Sequence, residues 1–175
     1  MALQQNLAFS HLMIKLLFGK AGSGKSYIGK LASSLYGFHF HDADEDLPER
    51  LRRAIKNRES VTDEVRDEYI DRVIVTLRRL MLTNERICVC QALFRNKYRE
   101  KILEAIPSVE YVWVDAPDHL ISSRLENRAD HVASRGYAEM ANRIFEVPTV
   151  AHVRFENGTD AIKFDEQITA IFGEK

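Results

Sequence analysis

Residues 19–26 form the stretch that most constrains how this chain can fold. They read Gly-Lys-Ala-Gly-Ser-Gly-Lys-Ser and match the pattern G-x-x-x-x-G-K-[ST], known as Walker A, at every specified position. In this pattern glycines let backbone N–H groups curl around phosphates, the lysine reaches the terminal phosphate oxygens, and the hydroxyl contacts Mg²⁺. An apolar run at 14–18 precedes the stretch as a buried strand would, and apolar residues follow at helical spacing, at Ile28, Leu31, Ala32 and Leu35. The order of strand, glycine-rich loop and helix predicts a phosphate-binding loop rather than a chance turn.

The same stretch supplies the predicted ATP site. A helix N-terminus contributes roughly half a positive charge and free N–H donors, both of which favour a bound phosphate. Lys25 is predicted to hold the phosphates as a catalytic residue, and Ser26 is predicted to bind Mg²⁺. The predicted ATP-binding residues are Gly19, Lys20, Ala21, Gly22, Ser23, Gly24, Lys25, Ser26 and Tyr27.

A cluster of acidic residues follows the second predicted strand. Residues 42–46 read Asp-Ala-Asp-Glu-Asp and come directly after an aromatic run at 38–41. Ligands of open α/β sheets bind at the carboxyl ends of strands, where this cluster would lie. One interpretation is a solvated acidic turn that caps the next helix. The interpretation we favour puts Asp42 near the Mg²⁺ shell and Asp44 on a substrate hydroxyl, as base or orienting group.

Two helices are predicted after the acidic cluster. Residues 48–57 are strongly basic, which is typical of a short helix with a solvated face. A longer amphipathic helix is predicted from Thr62 onward, because Thr is a common helix cap and acidic residues fill the first turn. Arg66 on this helix would meet an entering substrate if the helix lines the cleft. A surface ion pair of Arg66 with Asp63 or Glu64 is the alternative.

Strands and helices alternate through the rest of the chain. The apolar runs that read as strands are 87–90, 111–114 and 150–155. The segments that read as helices are 97–106, 117–128 and 160–172. This alternation is the pattern of an α/β fold, in which helices cover both faces of a parallel sheet.

Two further predictions concern Asp115 and the two cysteines. Asp115 ends a predicted strand and precedes Ala-Pro, so a turn or helix-cap role is favoured over a metal-associated one. Cys88 and Cys90 are expected to point to opposite faces of one strand, which argues against a disulfide between them. The absence of a disulfide pair suits a reducing cytoplasm.

A basic segment that begins in the fifth predicted helix predicts a mobile lid. Arg124, Arg128, His131 and Arg135 are spread along a segment that has no clear apolar face. Such lids close over phosphates and exclude water. We place the lid at about 128–137 and predict Arg124 and Arg128 as catalytic arginines that bind one triphosphate together. A basic exposed loop would have the same composition.

Composition narrows the class of protein. The 175 residues suit a single domain, 1–175, and 25 basic against 26 acidic residues give a formal charge of -1. This balance favours neither nucleic acid nor a membrane surface as a partner. No stretch approaches the roughly 18 apolar residues of a membrane span, and no secretory signal precedes the first strand. We therefore expect a cytoplasmic protein that acts on a small molecule, and a homodimer is left open.

Taken in order, these segments resemble the gluconate kinase branch of the shikimate-kinase-like P-loop phosphotransferases over residues 14–172. That family carries the motifs G-x-S-G-S-G-K-S, D-G-D-x-x-H-P, P-L-x-D-x-D-R-x-x-W-L, C-S-A-L-[KR]-x-x-Y-R and R-L-x-x-R-x-x-H-F. The matching stretches of this chain are 19–26, 42–48, 61–70, 90–99 and 124–132. The resemblance implies a three-layer P-loop kinase fold, with a five-stranded parallel sheet in the order 2-3-1-4-5, helices on both faces and a mobile lid.

The resemblance also implies residue roles. Asp44 would meet the acceptor hydroxyl, Asp42 would help hold Mg²⁺ through water, and Arg66 would face the substrate carboxylate. The departures from the family pattern fall mainly on the acceptor side. They are Leu47 for histidine, Leu51 for asparagine, Tyr69 for tryptophan, Gln91 for serine and Phe94 for a basic residue.

The predicted function is therefore an ATP-dependent kinase that moves the γ-phosphoryl group to a hydroxyl of a small metabolite, with Mg²⁺. A sugar acid such as gluconate, or a related carbohydrate, is the expected acceptor because Arg66 is retained to meet a carboxylate. A nucleoside or nucleotide kinase is one alternative, since Val-Asp-Ala-Pro at 114–117 also occurs in nucleotide kinases. A nucleotide-binding protein without catalysis is another, since the acceptor positions are replaced.

Overall fold

The apolar strands of this chain assemble into one parallel sheet. The structure, a computed structural model, describes residues 12–57, 59, 61–127 and 135–173. Its strands are β1 (Met13–Phe18), β2 (His39–Asp42), β3 (Arg86–Cys90), β4 (Val109–Asp115) and β5 (His152–Glu156). They pair in the order β2-β3-β1-β4-β5, and each pairing is parallel. The predicted α/β class and strand order are confirmed.

Helices connect the strands and cover both faces of the sheet. They are α1 (Lys25–Tyr36), α2 (Glu49–Asn57), α3 (Asp63–Leu80), α4 (Asn96–Ala105), α5 (Asp118–Glu126), α6 (Arg135–Arg143) and α7 (Ala161–Phe172). A short 3-10 helix, Ala43–Asp46, follows β2. None of the helices in the described part of the chain combines the length and the apolar character that crossing a bilayer requires.

Helix α6 is the element that the sequence pattern does not predict. Its buried residues are Tyr137, Ala138 and Ala141, and two of these are alanines, which give a weak apolar signal. Gly136 in its first turn lowers helix propensity further. Residues 135–137 of the predicted lid belong to this helix, and the lid itself stays a prediction.

Side chains of β1 alternate between two hydrophobic clusters, since successive strand residues point to opposite faces. Leu16 and Phe18 pack in the cluster that includes residues of α3 and α4. Leu17 packs with Ile28 of α1 and Phe172 of α7 in the other cluster. The burial of residues 14–18 of β1 fixes the point at which the loop after it begins.

Cys88 and Cys90 lie on the same face of β3, so the expectation of opposite faces is wrong. Side chains two positions apart in a strand share a face, and both thiols pack in the cluster with α1 and α7. Both are free and buried. Burial raises the pKa of Cys90 to about 12, which keeps that thiol protonated at neutral pH.

The strand register brings three carboxyl ends together. Asp42 at the end of β2 lies beside Cys90 of β3, and Cys90 lies beside Leu17 of β1. The loops that follow these strands therefore start from one edge of the sheet. This edge is where parallel α/β sheets bind ligands.

Candidate active site

The loop after β1, residues 19–24, has a backbone that requires glycine. Gly19 and Gly24 have φ angles of 147° and 99°. A Cβ on Gly19 would lie 2.2 Å from the carbonyl oxygen of Val114, and one on Gly24 would lie 2.2 Å from Nδ2 of Asn157. The close approach of neighbouring groups leaves room for no side chain at either position. Helix α1 begins directly after this loop, so its N-terminal N–H groups face the same space.

Polar groups of the loop are arranged as a phosphate site needs them. Nζ of Lys25 arches back over the loop and donates to the carbonyl oxygens of Gly19, at 3.0 Å, and Lys20, at 2.9 Å. Oγ of Ser23 is completely buried and has no hydrogen-bond partner among the described residues. A buried hydroxyl without a partner is costly unless a ligand completes it. The loop therefore fits the phosphates of ATP.

Two asparagines that sequence reasoning missed hold the loop in place. The amide of Asn142 on α6 accepts from the backbone N–H of Ala21, at 2.8 Å, and donates to its carbonyl oxygen, at 3.0 Å. Nδ2 of Asn157, which is buried after β5, donates to the carbonyl oxygen of Ser23 at 2.7 Å. No spacing rule identifies such residues. The Asn-Gly pair at 157–158 is the one local signal, and it also fits an ordinary turn.

The two predicted magnesium residues lie together. Oγ of Ser26 donates to Oδ2 of Asp42 at 3.1 Å, and Sγ of Cys90 lies 3.5 Å from the same hydroxyl. No group of three or more His, Cys, Asp or Glu side chains that could hold a metal is found in the described ranges. Mg²⁺ in phosphate sites is commonly held by one or two carboxylates with phosphate oxygens and water, so a hydroxyl and one carboxylate fit that ion.

The carboxylates of the acidic cluster have different surroundings. Oδ1 of Asp42 accepts from the backbone N–H of Asp44 at 3.1 Å and so begins the 3-10 helix. Asp46 instead binds inward, 2.8 Å from Nε2 of His41 and 2.7 Å from the hydroxyl of Thr76. The hydrogen bond to Asp46 raises the pKa of His41. Asp46 is therefore structural, whereas Asp44 lines a cavity, and its role at a substrate hydroxyl stays a prediction.

That cavity, of about 110 Å³, connects the phosphate loop with the acidic turn. Its polar lining includes Lys25, Ser26, Asp42, Asp44, Arg66 and Gln91. Its apolar lining includes Leu47, Leu51, Ile55, Phe94, Ala138 and Ala141.

Arg66 lies in the cavity rather than in a surface ion pair. Its guanidinium NH2 contacts the hydroxyl of Tyr137 at 3.5 Å. Asp63, the alternative partner, pairs with Arg95 at 3.0 Å and with Lys97 at 2.7 Å. The structure thus brings together Arg66 and Tyr137, a residue of α6 that sequence reasoning missed.

Two departures from the family pattern form one hydrogen-bonded unit. The hydroxyl of Tyr69 donates to the carbonyl oxygen of Ala43 at 2.8 Å and accepts from Nε2 of Gln91 at 2.8 Å. Oε1 of Gln91 accepts from the backbone N–H of Leu93 at 2.6 Å, and Leu93 has a φ of 40°. Burial raises the pKa of Tyr69 well above its ordinary value, so the phenol remains a donor. This unit ties the acidic turn to the carboxyl end of β3.

The predicted lid arginines have different outcomes. Arg124 on α5 reaches the phosphate loop, with NH1 3.4 Å from the carbonyl oxygens of Gly22 and Ser23. Arg128 and the lid residues 128–134 lie outside the described residues. Arg124 therefore lies at the phosphate loop, and the predicted role of Arg128 stays a prediction.

Three other predicted residues lie outside the cavity. Tyr27 is 60% exposed and its ring contacts Phe164 of α7. Lys20 forms an ion pair with Asp118 at 2.8 Å. Asp115 pairs with Arg154 at 2.6 Å, and no side-chain bond caps α5, so its predicted role as a helix cap is wrong.

The sheet order, the glycine-rich loop after β1 and the acidic turn after β2 define a P-loop kinase. The sequence profile of the family described as Shikimate kinase matches residues 21–154. The chain belongs to the shikimate kinase family, and it is an ATP-dependent small-molecule kinase.

Individual relatives carry gluconokinase names. The chain is 26% identical to a probable gluconokinase of Dictyostelium discoideum, over 97% of this chain and 88% of that protein. It is 29% identical to the thermosensitive gluconokinase of Escherichia coli, over 66% of this chain and 62% of that protein, which is less than two thirds of its length. A gluconokinase structure from Sinorhizobium meliloti superposes with a TM-score of 0.75 over 93% of both chains, at 19% identity. At that identity the likeness shows the shared fold.

Proposed function

We propose that this kinase phosphorylates a hydroxyl of a small sugar acid, such as gluconate or a related carbohydrate. The observation that carries the proposal is the shared cavity, which is lined by Lys25 and Ser26 of the phosphate loop and also by Asp44 and Arg66. Groups suited to a phosphate donor and groups suited to an acidic acceptor therefore border one space. The gluconokinase names of the relatives point to the same class of acceptor.

Phosphate binding falls to the loop and the start of α1. The helix N-terminus offers backbone N–H donors, and the buried hydroxyl of Ser23 offers another. The ammonium of Lys25, 2.9 to 3.0 Å from two loop carbonyls, supplies a full positive charge beside them. Arg124 adds charge next to the loop, and Arg128 is proposed to add a second guanidinium from the lid.

Ser26 and Asp42 are the residues that would hold Mg²⁺. When bound, the ion neutralises phosphate charge as the phosphoryl group is transferred. The hydroxyl of Ser26 donates to the carboxylate of Asp42 at 3.1 Å, so the oxygens of both side chains lie close together.

Asp44 is the proposed base. A bond forms between the acceptor hydroxyl oxygen and the γ-phosphorus of ATP, and the bond from that phosphorus to the ADP oxygen breaks. The proton of the hydroxyl passes to the Asp44 carboxylate. The turn that carries Asp44 is fixed on both sides, by Asp42 at its N–H and by Tyr69 at the preceding carbonyl. This fixed position favours transfer, because phosphoryl transfer depends mainly on positioning and charge.

Arg66 is the proposed partner of the acceptor carboxylate. Its guanidinium borders the cavity and can bind a carboxylate with two parallel hydrogen bonds. The contact with Tyr137, at 3.5 Å, is long for a hydrogen bond, so the guanidinium is not held tightly away from a ligand.

The cytoplasm is the proposed location, because both cysteines are free thiols.

The proposal is tested by ADP release across sugar acids, polyols and nucleosides at saturating ATP. Wild-type protein should respond to a sugar acid, and Asp44→Asn should lower kcat by about 100-fold or more while ATP affinity changes little. Asp165→Asn, an exposed acid on α7 outside the cavity, serves as the matched control. Tight ATP binding without turnover on any of these acceptors would refute the proposed transfer to a sugar acid. Preference for a nucleoside would replace the sugar acid with the nucleoside alternative.

A further inference from the structure

The cavity of this kinase has an apolar wall where the family resemblance calls for polar residues. Leu47, Leu51 and Phe94 stand at positions where that resemblance implies histidine, asparagine and a basic residue. All three line the cavity together with Ile55. Three substitutions of a polar residue by an apolar one therefore fall on one surface of one site.

The apolar wall is part of the folded core. Leu47 and Leu51 are 8% and 2% exposed and belong to the same hydrophobic cluster as Tyr69. The carbonyl oxygen of Phe94 accepts from the backbone N–H of Glu146 at 2.8 Å and from NH2 of Arg99 at 3.3 Å. These bonds fix the backbone on which the Phe94 ring stands. The wall is thus a fixed surface that a ligand must match.

Several polar groups that border the cavity are already used inside the protein. The Tyr69 hydroxyl is bonded to Ala43 and Gln91, and both ends of the Gln91 amide are engaged. Of the other polar groups in the described lining, Asp44 suits the reacting hydroxyl, and Arg66, which contacts the Tyr137 hydroxyl at 3.5 Å, suits the carboxylate. Hydroxyls of a sugar acid on the side of the apolar wall would face leucine and phenylalanine side chains. A hydroxyl buried without a partner binds worse than a hydrogen atom in its place.

We infer that the acceptor of this kinase is a deoxygenated hydroxy acid, with a carboxylate, a reacting hydroxyl and an apolar segment that packs on Leu47, Leu51 and Phe94. This inference rests on the proposed function and narrows its substrate class. The carboxylate binds Arg66, the reacting hydroxyl meets Asp44, and carbon atoms without hydroxyls cover the wall.

The first experiment compares gluconate with its monodeoxy analogues, each with one hydroxyl replaced by hydrogen. We expect at least one analogue to exceed gluconate in kcat/KM by about 10-fold to 100-fold, the range that such pockets provide. The same compounds are then titrated onto the protein with a non-hydrolysable ATP analogue, so that binding is measured without turnover. The order of affinities should match the order of kcat/KM.

The second experiment restores polarity to the wall. Leu51→Asn and Phe94→Lys should each move the ratio of analogue to gluconate kcat/KM toward gluconate by about 10-fold. Leu80→Asn is the matched control, because Leu80 packs at the edge of the same cluster without lining the cavity. It should lower stability and leave the ratio unchanged. The wild-type comparison needs no variant and decides the inference even where a variant does not fold.

The outcomes separate this inference from the proposed function. Turnover of gluconate at a kcat/KM equal to or above that of every deoxy analogue overturns the inference and leaves the sugar-acid kinase intact. No turnover on any acid, with binding that still favours a deoxy analogue, refutes the proposed sugar-acid kinase activity and supports the apolar acceptor segment. Equal binding of all the acids, or binding of none, overturns the inference.

Discussion

Replacement of Tyr69 by phenylalanine tests whether the acidic turn is held by the tyrosine and glutamine unit. The change removes one oxygen from a side chain that is 5% exposed. It breaks two bonds of 2.8 Å, one to the carbonyl oxygen of Ala43 and one from Nε2 of Gln91. Because both former partners then lose a hydrogen bond in a buried region, we expect a loss of about 2 kcal/mol in the free energy of unfolding.

For a chain of this size, that loss corresponds to a fall in Tm of about 4–8 °C. Urea denaturation at pH 7.5 measures the free energy, and the pKa of Tyr69 lies well above that pH, so the phenol is neutral throughout. Tyr98→Phe is the matched control, because the Tyr98 hydroxyl lies 3.5 Å from a carboxylate oxygen of Asp63, which is long for a hydrogen bond. Loss of that hydroxyl should change the free energy of unfolding by less than about 0.5 kcal/mol.

The same substitution should affect catalysis in a specific way. Asp44 follows Ala43 directly, so a turn released by Tyr69→Phe positions the proposed base less well. We expect kcat to fall by about 10-fold while ATP affinity stays within twofold, because the phosphate loop is untouched. The reasoning is refuted if Tyr69→Phe is no more destabilising than Tyr98→Phe, or if ATP affinity falls as much as kcat.

Three further predictions concern the loop and the acidic segment. Lys25→Ala should lower kcat/KM by at least about 100-fold and weaken ATP binding in a nucleotide titration, whereas unchanged turnover would remove the phosphate-loop assignment. Gly24→Ala should weaken ATP binding about 10-fold or more, because its φ of 99° is strained for alanine and its Cβ meets Asn157; an unchanged Kd would contradict this. His41→Gln should destabilise the protein at pH 5.5 and hardly at pH 9, measured by urea denaturation. Because the pKa of His41 is raised in the folded state, protonated His41 stabilises the protein fully below the unfolded-state pKa of 6.5. This stabilisation is lost as the pH rises through the folded-state pKa. Equal effects of the substitution at both pH values would refute the charged pair with Asp46.

The sequence was a good guide to the sheet and the loop because both depend on local patterns. The apolar run of β1, the glycines after it and the amphipathic α1 are contiguous, so their order alone predicts the strand, loop and helix. The parallel order of the sheet came from the family resemblance, and the strand pairings confirm it. Helix α6 was missed because alanines bury its face, and an alanine stripe has little apolar contrast with its surroundings.

The cysteine and Asp115 expectations show two different errors. The prediction that Cys88 and Cys90 point to opposite faces of the strand is wrong, because side chains alternate along a strand and residues two apart share a face. Asp115 was assigned a local cap role, but Arg154 on the neighbouring strand β5 binds it at 2.6 Å. A contact across the sheet outweighed the local pattern, and no sequence window includes both residues.

The sequence by itself determined the phosphate-donor half of this protein, since residues 19–26 contain the backbone conformation, the lysine and the hydroxyl in one contiguous segment. Only the tertiary structure decided the acceptor half. Its cavity lining joins Leu47 before α2, Phe94 after β3 and residues of α6, and these segments meet because the sheet register and helix packing bring them to one cavity. The physical reason is that phosphate binding relies on backbone groups close in the chain, whereas the shape and polarity of the acceptor cavity arise from side chains that are distant in sequence.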